Sequence, residues 1–268
     1  MTGIEERQRA YWNERFRLHW GPAGASSIPF GRYFNEWRYR ARRRVFRRIV
    51  RGLALPTDSL SVLDVGSGTG FYLDEWQALG VTSLAGLDIS DRAVAKLVSA
   101  YPSVTFYRMS IGETDSPLPV QGFDVASAID ILTHIVDEAA YQRAIGNIHR
   151  SLKPGGWLLY TDSFFHGSGK VCGEYWRGRS LATASAALEA GGFEIVSRVP
   201  FSVLFSAPTD SRHRERNEHI WDRALLPVRL SESCGYLYGV LLYPIELLLV
   251  SIFKESPAIE IMVCRKRP

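Results

Sequence analysis

The chain has 268 residues, 46% of them apolar and 22% charged, so it is long enough to bury a sizeable core and too apolar to remain disordered. A formal net charge of +4 and a pI near 9.0 suit an acidic partner without demanding one. Cys172, Cys234 and Cys264 are far apart and make no C-x-x-C pair, which argues against a zinc site or a disulfide framework; together with a polar segment 1–7 lacking an apolar h-region, they point to a reducing cytoplasm.

Residues 1–20 read as a short aromatic and basic helix carrying Tyr11, Trp12, Phe16 and Trp20, and 21–27 is a loop by composition. Residues 31–52 read as a long helix, because Phe34, Trp37, Ala41, Val45, Ile49 and then Leu53 recur at three- and four-residue steps. Its other face is arginine: Arg38, Arg40, Arg42, Arg43, Arg44, Arg47, Arg48 and Arg51. The expectation is a solvated face over an apolar stripe that covers the sheet; the alternative is an anion-binding surface for nucleic acid, phosphorylated substrate or lipid headgroups.

A regular alternation begins at residue 60. The apolar run 60–65 stops at three alternating glycines, Gly66, Gly68 and Gly70, and helical spacing follows at 71–79. Strand, glycine turn, helix opens an α/β nucleotide site, where backbone must approach a ligand closely. Further strands are expected at 83–87, 104–109, 123–129, 157–161, 193–199 and 259–264, and helices at 91–100, 138–152 and 180–190, with Ser90 or Asp91 as a cap. The fold class is therefore α/β: a doubly wound, mostly parallel, seven-stranded sheet with helices on both faces. An N-terminal helical cap spans 1–57, the core 58–203, a lid-like insertion in the same domain 204–255, and the last core strand 256–268.

The glycine register separates two ligands. A dinucleotide fingerprint, G-x-G-x-x-G, needs glycine at 71, where Phe71 stands. Leu63-Asp64-Val65-Gly66-Ser67-Gly68-Thr69-Gly70 instead resembles motif I of the class I S-adenosylmethionine-dependent methyltransferases. Leu84-Ala85-Gly86-Leu87-Asp88-Ile89-Ser90 resembles that family's second motif, the run from Phe123 to Ile135 its fourth, and Leu152-Lys153-Pro154-Gly155-Gly156-Trp157-Leu158-Leu159 its later loop. Four motifs in order across about 100 residues are specific in combination.

The resemblance implies S-adenosylmethionine as cofactor. It places Asp64, Gly66, Ser67, Gly68 and Gly70 around the methionyl part, Asp88 on the ribose hydroxyls, Ile89 on the adenine face, and Ala128, Ile129 and Leu132 on the methyl-donor side. Tyr33, Trp37 and Arg40 are the expected contribution of the N-terminal cap to closing over the cofactor. After the third strand the family commonly has an Asp toward the adenine amino group; here Ser110 and Ile111 take that place, with Glu113 as substitute only if its loop curls back. His134 is the expected general base, since imidazole titrates near working pH, and His166 is the second candidate. The alternative for His134 is a structural histidine bonded to a neighbouring loop. No metal is expected: Asp130 matches one acid of the metal-dependent subclass, but Asp162-Ser163 replaces its Asp-Asn pair.

Within the insertion, 236–253 is nearly all apolar, with a helical stripe through Leu241, Leu242, Ile245, Leu248, Leu249 and Ile252, and Glu246 as its clear charge. A lid or core helix packed on the sheet is the expected role; contact with a lipid interface and a homodimer surface are the alternatives. The leading reading is methylation of a small, hydrophobic acceptor, foremost at oxygen. An RNA methyltransferase using the arginine helix and a cofactor-binding scaffold without turnover are the alternatives. Nucleic-acid substrates are disfavoured because the Asn/Asp-Pro-Pro-Tyr and Pro-Cys signatures are missing after the fourth strand.

Overall fold

The computed structural model describes residues 3–268. The helices ahead of the sheet are α1 (Gly3–Leu18), the single turn α2 (Pro22–Ala25) and the long α3 (Gly31–Gly52). The alternating segment follows as β1 (Ser61–Val65), α4 (Phe71–Ala78), β2 (Ser83–Asp88), α5 (Asp91–Ala100), β3 (Thr105–Arg108), β4 (Phe123–Ala128), α6 (Glu138–Ser151) and β5 (Leu152–Asp162). A hairpin of β6 (Lys170–Cys172) and β7 (Trp176–Gly178) precedes α7 (Leu181–Ala190) and β8 (Phe193–Ser202). Three helices, α8 (Arg214–Ala224), α9 (Leu226–Leu230) and α10 (Glu232–Ile252), come before β9 (Ile259–Lys266).

Seven strands make one sheet in the order β3-β2-β1-β4-β5-β9-β8. β1 to β5 are mutually parallel and β9 runs antiparallel between β5 and β8, so the sheet is mostly parallel and doubly wound. The strand order reverses between β1 and β4. A ligand crevice belongs outside the carboxyl ends of those two strands.

Side-chain alternation along β1 assigns the two core layers. Leu63 and Val65 point to α6 and α7, meeting Tyr141, Ile145, Ile148 and Leu188. Val62 points to the other face, where Val45, Phe46 and Ile49 of α3 and Leu73 and Trp76 of α4 are buried. α3 is fastened to α4 by Glu75, 1% exposed, which accepts from Arg43 Nε and Arg47 Nε at 2.6 Å each. The N-terminus of α3 leaves orphan N–H groups, and Glu232 of α10 takes them, accepting from Arg32 N at 2.9 Å and Tyr33 N at 3.1 Å. α10 then crosses α3 so closely at Gly239 that a Cβ there would stand 2.1 Å from Trp37 Cδ1.

Three elements differ from the pattern reading. β5 starts at Leu152, because the Lys153–Gly156 stretch continues into the strand past a register shift opposite β4. The β6–β7 hairpin has strands of three residues, too short to show a period. α10 packs mainly along α3 rather than on the sheet, and its outer side is exposed.

Candidate active site

From Val65 the chain turns through the three glycines into α4. Gly66 and Ser67 donate their backbone N–H groups to Leu87 O at 2.8 and 2.9 Å, tying the turn to β2. Gly66 has φ +72°, and a Cβ there would stand 2.5 Å from Ile131 Cδ1, so the position admits only glycine. Asp88, at the tip of β2, braces the same turn: its Oδ2 accepts from Gly68 N and its Oδ1 from Ser90 N, both at 2.8 Å. A carboxylate holding two such bonds keeps lone pairs for further donors. Beneath the turn, Trp76 Nε1 donates to Ser127 Oγ at 3.0 Å, and Ser127 Oγ donates to Asp64 Oδ1 at 2.8 Å. Asp64 Oδ2 is buried without a hydrogen-bond partner among the described residues. Burial pushes both carboxyls up to about 6.

Over the turn lies a cavity lined by Trp12, Phe16, Tyr39, Asp88, Ile129 and His134 among others. α1 roofs it, held by two polar clasps along its length: Gln8 Nε2 donates to His134 O at 2.7 Å, and Asn13 Oδ1 accepts from Ser90 Oγ at 2.7 Å. With Trp12 and Phe16 in place, about 70 Å³ stays open.

His134 ends the 3₁₀ turn Leu132–His134 after β4, and its Nδ1 lies 2.7 Å from Tyr175 O. A carbonyl only accepts, so Nδ1 carries the proton and Nε2 keeps the lone pair. Burial lowers its pKa, against the opposing pull of the Tyr175 carbonyl and Asp130. The ring is thus a neutral base at neutral pH, with its edge on Trp12 at a centroid distance of 4.9 Å. Asp130 takes a left-handed conformation, φ +57°, which turns its N–H onto Thr161 Oγ1 at 2.7 Å and its carboxylate onto Arg42. Burial raises the Asp130 pKa, but the Arg42 and Arg38 guanidiniums outweigh it and hold the group below the ordinary carboxylate range.

A second cavity of about 500 Å³ shares Trp12, Asp130 and His134 with the first. Its walls are aromatic, with Tyr11, Phe30, Trp176 and Trp221, and its polar groups include Arg38 and Asp162. Arg38 donates to Ser206 Oγ at 3.2 Å while its Nε has no partner among the described residues, and burial brings its pKa down to about 10. Asp162 accepts from Ser163 N at 2.6 Å and Tyr160 OH at 3.0 Å, and burial raises it to about 7. A carboxyl that titrates near neutrality beside a cavity is an acid–base candidate that sequence reading passed over.

The expected site residues divide into two groups. Gly66, Ser67, Gly68, Asp88, Ile89, Ile129 and His134 come together around the first cavity, with Gly70 closing the turn and Asp64 beneath it. Ala128 and Leu132 are fully buried core, and Ile111 is core as well. Glu113 does curl back, accepting from Ser110 N at 2.9 Å, yet neither residue lines the cavity. Tyr33, Trp37 and Arg40 stand elsewhere: Trp37 packs on Tyr236 and Tyr243 of α10, Tyr33 on Tyr236, and Arg40 stacks on Trp37. The aromatic cover over the turn comes from α1, through Trp12 and Phe16, with Tyr39 the contribution of α3. The crowding of Tyr11, Trp12 and Phe16 within one short helix was the available signal. His166 also lies outside both cavities. Its side chain is 51% exposed, with Nδ1 2.6 Å from Asp210 Oδ2 and Nε2 3.4 Å from Glu255. Among the described residues, no three His, Cys, Asp or Glu side chains cluster as a metal site.

Comparison with known proteins agrees with this geometry. Residues 37–198 match the family model for a methyltransferase domain, so the chain belongs to that family, within the S-adenosylmethionine-dependent methyltransferases of the class I fold. Among curated proteins, a dTDP-4-amino-2,3,4,6-tetradeoxy-D-glucose N,N-dimethyltransferase of Saccharopolyspora spinosa is 26% identical over 159 residues, 55% of this chain and 54% of that one. A ubiquinone biosynthesis O-methyltransferase of Neisseria meningitidis is 28% identical over 104 residues, 37% of this chain and 42% of that one. The chain thus spans about half the length of the curated relatives it matches. Among solved structures, the Burkholderia thailandensis 1,6-didemethyltoxoflavin-N1-methyltransferase superposes with TM-score 0.57 over 100% of this chain and 92% of that one, at 16% identity. An S-adenosylmethionine-dependent methyltransferase of Mesorhizobium loti gives 0.51 over 82% and 96%, at 17% identity. At such identities the likeness concerns the fold.

Proposed function

We propose that the protein transfers a methyl group from S-adenosylmethionine to a hydroxyl oxygen of a small, hydrophobic, ring-bearing acceptor. One observation carries this reading: an aromatic-walled cavity of about 500 Å³ meets the cavity over the glycine turn at His134 and Asp130. The donor side fits the cofactor on its own residues. The Asp88 carboxylate, with lone pairs to spare, suits a vicinal diol, the unpartnered Asp64 Oδ2 suits an ammonium group, and Ile129 offers an apolar wall. Only about 70 Å³ stays open beneath Trp12 and Phe16, so these two side chains must give way to admit a nucleoside. S-adenosylmethionine supplies an already activated methyl, so the protein's share is orientation and exclusion of water, on the order of 7–11 kcal/mol in favourable cases.

His134 takes the acceptor's proton at Nε2, and the Tyr175 carbonyl fixes the tautomer that allows it. Asp130, already paired with Arg42, steadies the imidazolium that forms. Tyr11, Trp12, Trp176 and Trp221 sort acceptors by flat apolar shape, and Arg38, on the wall of the same cavity, orients an oxygen on the ring. A cationic amine acceptor is the second reading, favoured by the two carboxylates, Asp130 and Asp162, at that cavity. The exposed arginines of α3 lie outside both cavities, which weighs against RNA as substrate. Three free cysteines, one of them the exposed Cys172, suit a reducing cytoplasm as its place of action.

The test is incubation with labelled cofactor and a metabolite extract, the product being identified by mass spectrometry. For a hydroxyl acceptor, His134→Ala is expected to lower turnover on the order of 10²–10⁴-fold with cofactor affinity unchanged. Full activity of that variant on the identified acceptor would favour the amine and leave His134 structural. Tight cofactor binding with no labelled product from any extract would leave a scaffold.

A further inference from the structure

From residue 233 to 253 the chain carries one acid, Glu246, and no lysine or arginine. The segment folds as α10, a helix long and apolar enough to cross a membrane, of which only 22% of the most apolar window is buried. Its inner side is accounted for by the small residues Gly235 and Gly239 against α3, and by Glu246 and Val250. Its outer side is not. Leu237, Leu241, Ile245, Leu248 and Ile252 recur at steps of four, four, three and four, which is one helical stripe, and they are 47–60% exposed. On α9, packed against α10, Leu226 and Leu230 are 51% and 77% exposed and extend the apolar ground. A continuous exposed apolar surface of this kind marks a contact site.

What covers it is decided by its surroundings. On the flank of α10 next to α3, across the helix from that stripe, runs a groove walled by Arg40, Arg44, Arg47, Arg48 and Arg51 of α3 and by Tyr243, Leu247 and Val250 of α10. Arg47 is engaged by Glu75, whereas Arg44 and Arg51 form no ion pair among the described residues. A spanning helix is ruled out by Glu246, fully buried, which accepts from Ser202 Oγ and Val203 N at 2.9 Å and from Leu204 N at 2.6 Å. Crossing a bilayer would strip that carboxylate of all three donors. A helix with an apolar stripe on one flank and a row of cations along the other is complementary to the boundary between acyl chains and anionic headgroups.

We propose that α10 and the arginine edge of α3 dock the protein onto an anionic phospholipid bilayer, the Leu237–Ile252 stripe entering the acyl boundary and Arg40, Arg44, Arg48 and Arg51 meeting the headgroup phosphates. α9 joins this surface to the acceptor cavity, since it contributes Arg229 to that cavity's wall. The docking stands independently of the reaction proposed above.

The experiment is co-sedimentation of the full chain with phosphatidylglycerol vesicles and with phosphatidylcholine vesicles. Binding to the anionic vesicles is expected to be at least about tenfold stronger and to weaken with added salt. The double variants Leu241→Ser/Leu248→Ser and Arg44→Glu/Arg51→Glu are each expected to lose at least about tenfold in binding. Both should keep the melting temperature and cofactor affinity of the parent. Absence of vesicle binding, or binding indifferent to either double variant, would overturn the proposal. A dimer in sedimentation velocity that Leu241→Ser/Leu248→Ser dissociates would give the face to a second copy. Salt-sensitive RNA binding lost in Arg44→Glu/Arg51→Glu, without vesicle binding, would give the arginines to nucleic acid.

Discussion

The two sides of α3 make opposite use of the same residue type. Toward the site, Arg38 and Arg42 are drawn inward beside Asp130, and Arg42, 1% exposed, is closed off beneath the ion pair. On the other side of the same helix, Arg40, Arg44, Arg48 and Arg51 stand exposed along the groove they share with Tyr243, Leu247 and Val250 of α10. Arg43 and Arg47 form a third set, fixed to the buried Glu75. Helical phase, and not the number of arginines, decides which of them turn toward the cavities and which toward solvent. The cations turned inward lower neighbouring pKa values and fix geometry; those turned outward keep their charge at the surface.

Substitution on the two sides separates these roles most sharply in stability. Arg42→Met leaves Asp130 without its counter-ion and is expected to cost about 3 kcal/mol, at the low end for a broken buried pair, because a third of the Asp130 side chain still reaches solvent. Chemical unfolding checks this, and a loss below 1 kcal/mol would show that the inner arginine does no more than the outer ones. Arg44→Met, in the same assay, is expected to stay within about 0.5 kcal/mol of the parent.

The site side should also respond to pH in two opposed ways. Asp64 and Asp88 rise from 3.8 to about 6, so the folded protein binds their protons more tightly than the unfolded chain. Their contribution to stability is therefore fully present below pH ~4 and is lost as pH rises through about 6. Under the proposed site, cofactor affinity runs the other way, since both carboxylates would hold the ligand best when ionised; it is expected to fall below pH 6 by up to about tenfold per pH unit for each carboxylate. Melting temperature and calorimetric affinity measured from pH 5 to 8 check the pair, and parallel trends would contradict it. The α10 face carries no group that titrates in this range on its outer stripe, so vesicle binding should be flat across it.

Much of this was legible in the sequence because backbone constraint and period-2 or period-3.6 patterning are local. The Gly66–Gly70 turn, Asp88 at its strand tip and His134 after β4 all follow from positions within their own segments. The cap was not, since which aromatic helix lies over the turn depends on packing at a distance. Trp37 looked like cover for the cofactor, but Gly239 gives it a slot on α10, and Trp12 and Phe16 of α1 take the roof instead. His166 looked like an edge residue of the site until the loop carrying Asp210 captured its Nδ1. The inward turn of Asp130 and Arg38, and the raised pKa of Asp162, depend on contacts between α3, β4 and β5 that no single segment announces.

The central claim is that the Gly66–Gly70 turn and the Asp88 carboxylate form one S-adenosylmethionine site, and calorimetry on Asp88→Ala tests it most directly. Losing charge-assisted hydrogen bonds worth about 1.5–3 kcal/mol predicts a Kd at least about tenfold weaker than that of the parent, with the fold intact by circular dichroism. An unchanged Kd would contradict the assignment.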